Sequence, residues 1–196
     1  YAMCLTHSPH VPTPDDTPPA EAKNAHSADN FPSCVAYMDK LVGRLDGALD
    51  ELGLRDNTIV CFCSDNGPQF GGQGDDCLNR FNCDFHGAKG SVYEGGIRVP
   101  MLLRWPDGLQ GGRQCDSMVH MSDWLPTLLA MTGTSLPEGN LPLDGVDQWP
   151  AIQGGVQAPT LQRCWQWNRY TPLVECNAAI RDGDWKLVRP TIREAM

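Results

Sequence analysis

The spacing of apolar residues predicts a long helix in the first third of the chain. Between Ser33 and Leu54, apolar residues recur every three or four positions, which is the period of a helix with one buried face. Gly53 stands where a glycine commonly ends a helix. The predicted buried stripe consists of Val35, Met38, Val42, Leu45, Leu49 and Leu52. The opposite face is charged, and we expect it to be solvated.

Unbroken apolar runs predict buried strands. Residues 1–6 are interpreted as a short buried strand, and Thr58 to Cys63 is the kind of continuous run found in buried parallel strands. Val99 to Pro106 has the same character. Cys61 and Cys63 lie inside the second run and are predicted to be small core residues. Because strands alternate with helices, the pattern favours an α/β fold.

Two long irregular segments separate these elements. Residues 8–32 contain six prolines, and residues 67–90 are polar and rich in glycine. Loops of this length in compact domains are usually functional.

A second helix is predicted from Ser122 to Gly133, capped by Ser122 or Asp123, with Pro126 tolerated in its first turn.

The pattern changes near residue 160. Short alternating segments with a turn at Asp182 and Gly183 predict an antiparallel β unit. We therefore divide the chain into an α/β part, residues 1–158, and a small antiparallel part, residues 159–196.

Composition restricts the possible partners. With 196 residues the chain can form one domain with a substantial core, or one domain and a small appendage. Its formal net charge of -9 argues against the basic surface used in non-specific binding to nucleic acid. No apolar run approaches the roughly 18 residues that a membrane span needs. We expect neither a nucleic-acid partner nor a membrane span.

Nine cysteines is a high number for this length, and an odd number cannot all pair within one chain. There is no CxxC pair, so a zinc ribbon or a thioredoxin-type site is not supported. Cys77 and Cys83 can be bridged in an oxidising compartment, but the sequence does not decide the redox compartment.

The chain starts inside an apolar run without an initiator Met and is interpreted as a strand cut partway, so a missing signal peptide does not exclude export.

Asp65 and Asn66 directly follow the second predicted strand. In open α/β sheets, ligands bind beyond the carboxyl ends of the strands. A carboxylate beside an amide offers two hard oxygens, which suit Ca²⁺ or Mg²⁺. The sequence Asp-Asn-Gly is also good turn chemistry, and these three residues alone favour a turn over a metal site.

A second candidate site lies in "GAKGSVYEGGIRVP", residues 87–100. Lys89 stands between two glycines, which allow the backbone to approach an anion while the ammonium supplies a positive charge. An exposed lysine in a flexible loop is the alternative interpretation.

Taken together, the segments "THSPHVP", "SDNGPQ", "GAKGSVYEGGIRVP", "SDWLPTLLAMTG" and "NAAIRDGDWKLV" resemble, in the same order, the later part of type I sulfatases, which are arylsulfatase-like enzymes of the alkaline phosphatase superfamily. The combination of DNG with GxKGxxYEGGxRxP is specific, and the resemblance covers nearly the whole chain. It implies an α/β fold: part of a mixed sheet flanked by helices, followed by a small C-terminal antiparallel β subdomain.

The resemblance also implies roles for individual residues. Asp65 and Asn66 correspond to ligands of a divalent cation, usually Ca²⁺ with Mg²⁺ possible. Lys89 corresponds to the lysine that contacts the sulfate group and its bridging oxygen. His10, in the HxP element, corresponds to the histidine that faces the leaving-group oxygen and donates a proton. His7 is the alternative if the register is shifted by three residues.

Other polar residues of these segments have less specific interpretations. His86 either lines a substrate subsite or is an exposed loop histidine. Glu94 and Arg98 are expected to fix their loop by internal ion pairing.

Aromatic and helix-start residues are interpreted in the same way. Trp165, Trp167 and Trp185 either stack on a sugar ring or, as the safer interpretation, pack between subdomains. Helix capping or packing is sufficient to explain His120 and Asp123.

No cysteine or serine in the chain begins the C-x-P-x-R or S-x-P-x-R motif whose first residue is oxidised to formylglycine in the family. The resemblance therefore implies the C-terminal part of a longer sulfatase, with the nucleophile and further metal ligands in the missing N-terminal part. The rest of its own catalytic domain is then a partner. We expect the isolated chain to be inactive and poorly soluble.

The expected function of the parent enzyme is hydrolysis of a sulfate ester, in a sulfated small molecule or a sulfated glycan. A phosphatase or phosphodiesterase of the same superfamily is one alternative, although those relatives usually carry DHG and two zinc ions. A non-catalytic binding protein that retains the fold is another. Periplasmic, extracellular or lysosomal-type export is expected from the family.

Overall fold

The computed structural model describes residues 1–69, 81–139, 141–155, 161–168, 173 and 175–190. The chain divides into two compact units, each described here by itself. One comprises Tyr1–Thr58 and Pro68–Phe81, and the other comprises Ile59–Gly67 and Asn82–Met196.

The first unit contains the predicted long helix, α1, at Phe31–Glu51. Its C-terminal end is capped at Gly53, as the sequence predicts. Gly53 has a φ of +64°, and its N–H donates to Asp50 O at 3.0 Å. The N–H of Leu54 donates to Leu49 O at 2.9 Å. These two bonds satisfy carbonyl groups that the helix end would otherwise leave without partners.

The predicted buried stripe of α1 is wrong in part. Val35, Leu45 and Leu52 are exposed, and Cys34 is the buried residue of this helix. Three bonds join the first half of α1 to residues 8–32: Cys34 Sγ to Val11 O, Ser33 Oγ to Asp16 Oδ1, and Lys40 Nζ to Asp15. The helical period fixes which residues share a face, but a covering segment decides which face is buried.

Residues 1–6 do not form the predicted strand. Tyr1 is fully exposed, and the carbonyl of Cys4 accepts from His7 N–H in a turn, at 3.1 Å. A strand needs a neighbour to pair its backbone groups, and within the described part of the chain no strand pairs with this segment.

The second unit begins with an antiparallel pair. Strand β1, Val60–Cys63, pairs with β2, Met101–Arg104, so that Cys63 lies opposite Met101. The prediction of a parallel pairing is therefore wrong here, because an apolar run does not reveal the direction of its partner. Burial along β1 alternates, and Cys61 and Cys63 are exposed, so the prediction that they are core residues is also wrong.

A short 3₁₀ turn, Met121–Asp123, leads into helix α3, Trp124–Thr132, which ends at Gly133 with a φ of +64°. The cap differs from the prediction. His120 is the capping residue: its Nδ1 accepts from Ser122 N–H at 3.3 Å, while Asp123 Oδ2 accepts from His120 N–H at 2.9 Å. The capping interpretation of His120 and Asp123 is confirmed.

Asp123 also joins α3 to the following segments. The side chain is fully buried and accepts from Val146 N–H at 3.0 Å and from Gln148 Nε2 at 3.3 Å. It also forms an ion pair with the buried guanidinium of Arg163. A buried carboxylate needs such donors because isolated charge is costly away from water.

Three strands near the C-terminal end of the described residues form an antiparallel sheet. Its strands are β3, Arg163–Gln166, β4, Ala178–Asp182, and β5, Trp185–Arg189, in that spatial order. Asp182 lies opposite Trp185 across the predicted turn, where Gly183 has a φ of +56°. The antiparallel unit is confirmed, and the division of the chain at residues 158 and 159 stays a prediction.

The remaining helices of this unit are short: α2, Glu94–Ile97, and α4, Trp149–Ile152. No helix in the described ranges has the length and apolar character needed to cross a membrane.

Candidate active site

The Asp-Asn-Gly turn lies directly after β1. Ser64 Oγ donates to Asn66 O at 2.8 Å, and Asn66 Nδ2 donates to Gly67 O at 2.9 Å. The amide nitrogen is thus used within the turn, so Oδ1 is the atom that Asn66 can offer to a cation. Asp65 is exposed beside it. The segment is both a turn and a candidate pair of oxygen ligands.

These two oxygens fit a hard divalent cation as part of a larger ligand set. Ca²⁺ takes about 6–8 oxygen ligands. Within the part of the chain that the structure describes, no group of three or more His, Cys, Asp or Glu side chains is arranged to hold a metal ion. Asp65 and Asn66 therefore account for only a fraction of a calcium shell.

Lys89 lies at the tip of a β-turn formed by residues 88–91. Ser91 N–H donates to Ala88 O at 3.0 Å, and Ser91 Oγ donates to the same carbonyl at 2.8 Å. Gly90, the third residue of the turn, has a φ of +85°. A β-turn with a positive φ at its third residue favours glycine there. At Gly87, a Cβ atom would lie 2.5 Å from Ser91 Oγ. Gly87, two residues before Lys89, and Gly90, directly after it, are thus both needed for the conformation of this loop.

One backbone hydrogen bond joins the two predicted segments of the site, and a second joins the two ends of the loop that contains Lys89. Gly67 N–H donates to Gly96 O at 2.9 Å, and Gly95 N–H donates to His86 O at 2.8 Å. The approach is so close that a Cβ atom on Gly67 would lie 1.7 Å from Gly95 O. The turn of Asp65 and Asn66 and the loop of Lys89 are therefore built into one unit around glycines of the DNG and EGG segments.

His10 belongs to the first unit. Its ring is buried against His26 and Phe31, with ring centroids 5.5 and 5.2 Å away. Its carbonyl accepts from Asn30 Nδ2 at 3.0 Å. His7, the alternative residue, is exposed, with Nδ1 2.5 Å from Ser8 O. The role of His10 as a proton donor stays a prediction.

The other candidates near Lys89 have defined contacts. His86 is exposed and meets the ring of Tyr93 edge-on, with centroids 4.3 Å apart. Glu94 forms an ion pair with Lys186 of β5 at 2.7 Å. The guanidinium of Arg98 lies over the ring of Phe85 at 4.9 Å. The ion pair of Glu94 thus reaches the C-terminal sheet rather than staying within its own loop.

The three tryptophans have different environments. Trp165 packs between His120 and Lys186, at 5.4 and 5.5 Å, so the packing interpretation holds for it. Trp167 lies against Gly90 and is 41% exposed. Trp185 is 85% exposed, so packing does not explain it.

Asn177 is a residue of this region that the sequence analysis missed. It is buried, has a φ of +46° and directly precedes β4. Its side chain bonds to the backbone of Gly90, Val92 and Trp167. The only signal in the sequence is a lone polar amide before an apolar run, which is too common to identify such a role.

The structure describes only one of the two cysteines in the predicted Cys77–Cys83 disulfide. The predicted bridge between Cys77 and Cys83 lies outside the described residues, because the structure does not describe residues 70–80, which include Cys77. Cys83 is exposed and has a φ of +59°.

Comparison with known protein families identifies matches over almost the whole chain. A family model described as sulfatase matches residues 1–134. A second model, described as the C-terminal part of N-sulphoglucosamine sulphohydrolase, matches residues 86–194.

Individual relatives agree with these models. Steryl-sulfatase of Mus musculus is 39% identical over 152 residues, which are 76% of this chain and 24% of that protein. Arylsulfatase A of Homo sapiens is 35% identical over 161 residues, 80% of this chain and 29% of that protein. The chain thus spans about a quarter of the length of these relatives.

Solved structures show the same likeness in three dimensions. The structure of Ps i-CgsB in complex with k-i-k-neocarrahexaose matches 93% of this chain and 39% of its own, with a TM-score of 0.73 and 31% identity. A structure concerned with the metabolism of multiple glycosaminoglycans by Bacteroides thetaiotaomicron covers 92% of this chain and 36% of its own, with a TM-score of 0.69 and 29% identity. With helices, small antiparallel sheets and these matches, the chain belongs to the sulfatase family and has its mixed α/β, alkaline-phosphatase-like fold.

Proposed function

We propose that this chain is part of a sulfuric ester hydrolase, to which it contributes two ligands of a divalent cation and the lysine of the anion pocket. The observation that supports this most is the bond from Gly67 N–H to Gly96 O. It joins the turn of Asp65 and Asn66 to the loop of Lys89, as a site that binds one anion with both would require.

Each residue has a defined chemical task in this proposal. Asp65 and Asn66 hold Ca²⁺, or Mg²⁺, through hard oxygens. A bound cation supplies charge neutralisation at the sulfate oxygens. Lys89 places its ammonium on the sulfate group and on the bridging oxygen, where negative charge develops as the S–O bond breaks.

The leaving group also requires a proton. His10 is proposed as the general acid that supplies it, since a histidine within hydrogen-bond reach serves this purpose near neutral pH. The formylglycine nucleophile is proposed to lie in sequence outside these 196 residues, because no cysteine or serine here begins the required motif. Delivery of the whole protein to a periplasmic, extracellular or lysosomal compartment is part of the same proposal.

The proposed substrate is a sulfate ester of a small molecule or of a glycan. Steryl-sulfatase among the relatives and the neocarrahexaose complex among the solved structures support both classes. A phosphate ester is the alternative. Asn66, in place of the histidine of DHG, favours a single hard cation and sulfate over two zinc ions and phosphate.

Substitution of Lys89 tests the proposal in the full-length protein that contains this chain. Lys89→Ala is expected to lower kcat/KM for an aryl sulfate by about 100- to 1000-fold, because a charge aimed at the transition state is lost. Lys40→Ala is the matched control, since Lys40 makes a half-exposed ion pair with Asp15. Its effect should stay within about twofold.

The same assay separates the alternatives. Removal of divalent cations with a chelator should abolish turnover, and added Ca²⁺ should restore it. Equal loss in both lysine variants, or faster turnover of an aryl phosphate than of the sulfate, would overturn the proposal.

A further inference from the structure

We propose that Asn177 is a positioning residue that holds Lys89 in the anion pocket. This inference rests on the proposed function of Lys89. Asn177 acts from the C-terminal sheet, just before β4, and touches the lysine turn through its backbone rather than through Lys89 itself.

The side-chain amide of Asn177 uses both of its polar atoms on this region. Nδ2 donates to Gly90 O at 2.8 Å and to Trp167 O at 2.7 Å. Oδ1 accepts from Val92 N–H at 3.3 Å. The bonded groups of Gly90 and Val92 lie one and three residues after Lys89, so the C-terminal half of the turn is fixed in place.

Burial makes the loss of any of these hydrogen bonds costly. Asn177 is 2% exposed and Val92 is 1% exposed, so water does not replace a lost partner there. An unsatisfied buried donor or acceptor costs about 1–3 kcal/mol. The geometry also requires a neutral amide, because a carboxylate would place an oxygen opposite the carbonyl oxygens of Gly90 and Trp167.

The backbone of Asn177 also helps to position the lysine turn. Its φ of +46° lies in the left-handed region, which asparagine tolerates better than most residues. Its carbonyl accepts from Trp167 N–H at 3.0 Å, and the Trp167 indole lies 3.6 Å from where a Cβ on Gly90 would be. Asn177 and Trp167 therefore support the lysine turn together.

A second contact attaches the loop to the same sheet. Lys186 of β5 donates to Glu94 Oε1 at 2.7 Å, and both side chains are partly buried. The loop is thus held at Gly90 and Val92 by Asn177 and, further along, at Glu94 by Lys186. The C-terminal sheet is the base from which the lysine turn is positioned.

The test uses two variants of Asn177 in the full-length protein. Asn177→Asp keeps the acceptor for Val92 N–H and removes the two donated bonds. Asn177→Gly keeps the backbone conformation and removes the side chain. Thr127→Val is the control: Thr127 is fully buried, accepts from Gln148 N–H at 2.9 Å and lies in α3 rather than in the lysine loop or the sheet.

We expect each Asn177 variant to lower kcat/KM per folded molecule by about 10- to 100-fold, because small displacements of a catalytic group have effects of this size. In a Lys89→Ala background the same variants should lower it by less than about twofold, since residues that act through one another are not additive. The control should leave turnover per folded molecule unchanged in both backgrounds.

Hydrogen exchange supplies a readout that does not depend on turnover. The amides of Ser91 and Val92 should exchange at least about tenfold faster in Asn177→Gly than in the unchanged protein or in Thr127→Val. Unchanged exchange, or the same loss of activity with and without Lys89, would overturn the positioning role. If the unchanged protein hydrolyses no sulfate ester, the proposed function fails, and the exchange rates still show whether Asn177 fixes the turn.

Discussion

At the scale of single residues, His120 combines a structural task with a titrating group. Its Nδ1 accepts from Ser122 N–H at the start of α3. Burial lowers the pKa of the imidazole, the nearby charge of Arg163 lowers it further, and the Asp123 carboxylate opposes both. The cap is therefore made by a neutral imidazole.

This shift predicts a loss of stability in mild acid. In the unfolded chain His120 takes up its proton near pH 6.5, whereas in the folded chain it does so at lower pH. Between these values the unfolded chain binds more protons, so the free energy of unfolding falls as the pH falls below about 6.5. Melting temperatures of the protein measured from pH 7.5 to 5 should show this decrease.

His120→Asn is the matched variant, since its side-chain oxygen can still accept from Ser122 N–H and does not titrate in this range. Its melting temperature should change less between pH 7.5 and 5 than that of the unchanged protein. Equal slopes for the two proteins would show that His120 is not the group responsible.

The residue scale also shows where sequence reasoning reaches its limit. Asp65, Asn66 and Lys89 are candidates from the sequence because each lies in a short contiguous motif. Asn177 was missed because its partners, Gly90 and Val92, are 87 and 85 residues away along the chain. A contact of that kind is set by tertiary packing, which a local pattern does not encode.

At the scale of elements, two glycines in and just after helix α1 adopt different backbone conformations. Gly43 lies inside the helix with helical geometry, and Gly53 lies just after it with a φ of +64°. A Cβ atom at either position would meet no atom within 4 Å. Differences between their alanine variants therefore report backbone conformation alone.

Gly43→Ala is expected to raise the free energy of unfolding by about 0.5–1 kcal/mol, because alanine has the higher helix propensity. Gly53→Ala should lower it by about 1 kcal/mol, because a side chain disfavours the left-handed conformation. Chemical denaturation of the two variants beside the unchanged protein measures both shifts. An increase in stability for Gly53→Ala would contradict the cap described here.

Prediction of elements succeeded where the signal is local. The helix, its glycine cap and the hairpin turn at Asp182 and Gly183 follow from periodicity and turn chemistry. The partner of β1, the exposure of Cys61 and the absence of a strand at residues 1–6 depend on segments far along the chain, and the sequence pattern does not specify them.

At the scale of the whole molecule, we propose that the chain supplies one part of a sulfatase active site. The two proposed cation ligands and the lysine turn lie in the unit formed by Ile59–Gly67 and Asn82–Met196, and the chain covers 24% of mouse steryl-sulfatase. The oxygens of Asp65 and Asn66 are too few for tight calcium binding.

The 196-residue chain by itself is therefore expected to release no product from a chromogenic aryl sulfate, even with millimolar Ca²⁺. Calorimetry should detect only weak Ca²⁺ binding. Measurable turnover that disappears in Lys89→Ala would show that the chain is catalytically sufficient and would contradict this prediction.

The contact between Gly67 and Gly95 has a consequence for protein engineering. A methyl group on Gly67 would collide with the backbone of Gly95, and a methyl group on Gly95 would collide with the carbonyl oxygen of Gly87. A designer who transplants the Asp-Asn-Gly turn into another scaffold would have to transplant the Glu-Gly-Gly segment with it. In this molecule the smallest portable unit of the site is a pair of segments, far apart in sequence and inseparable in space.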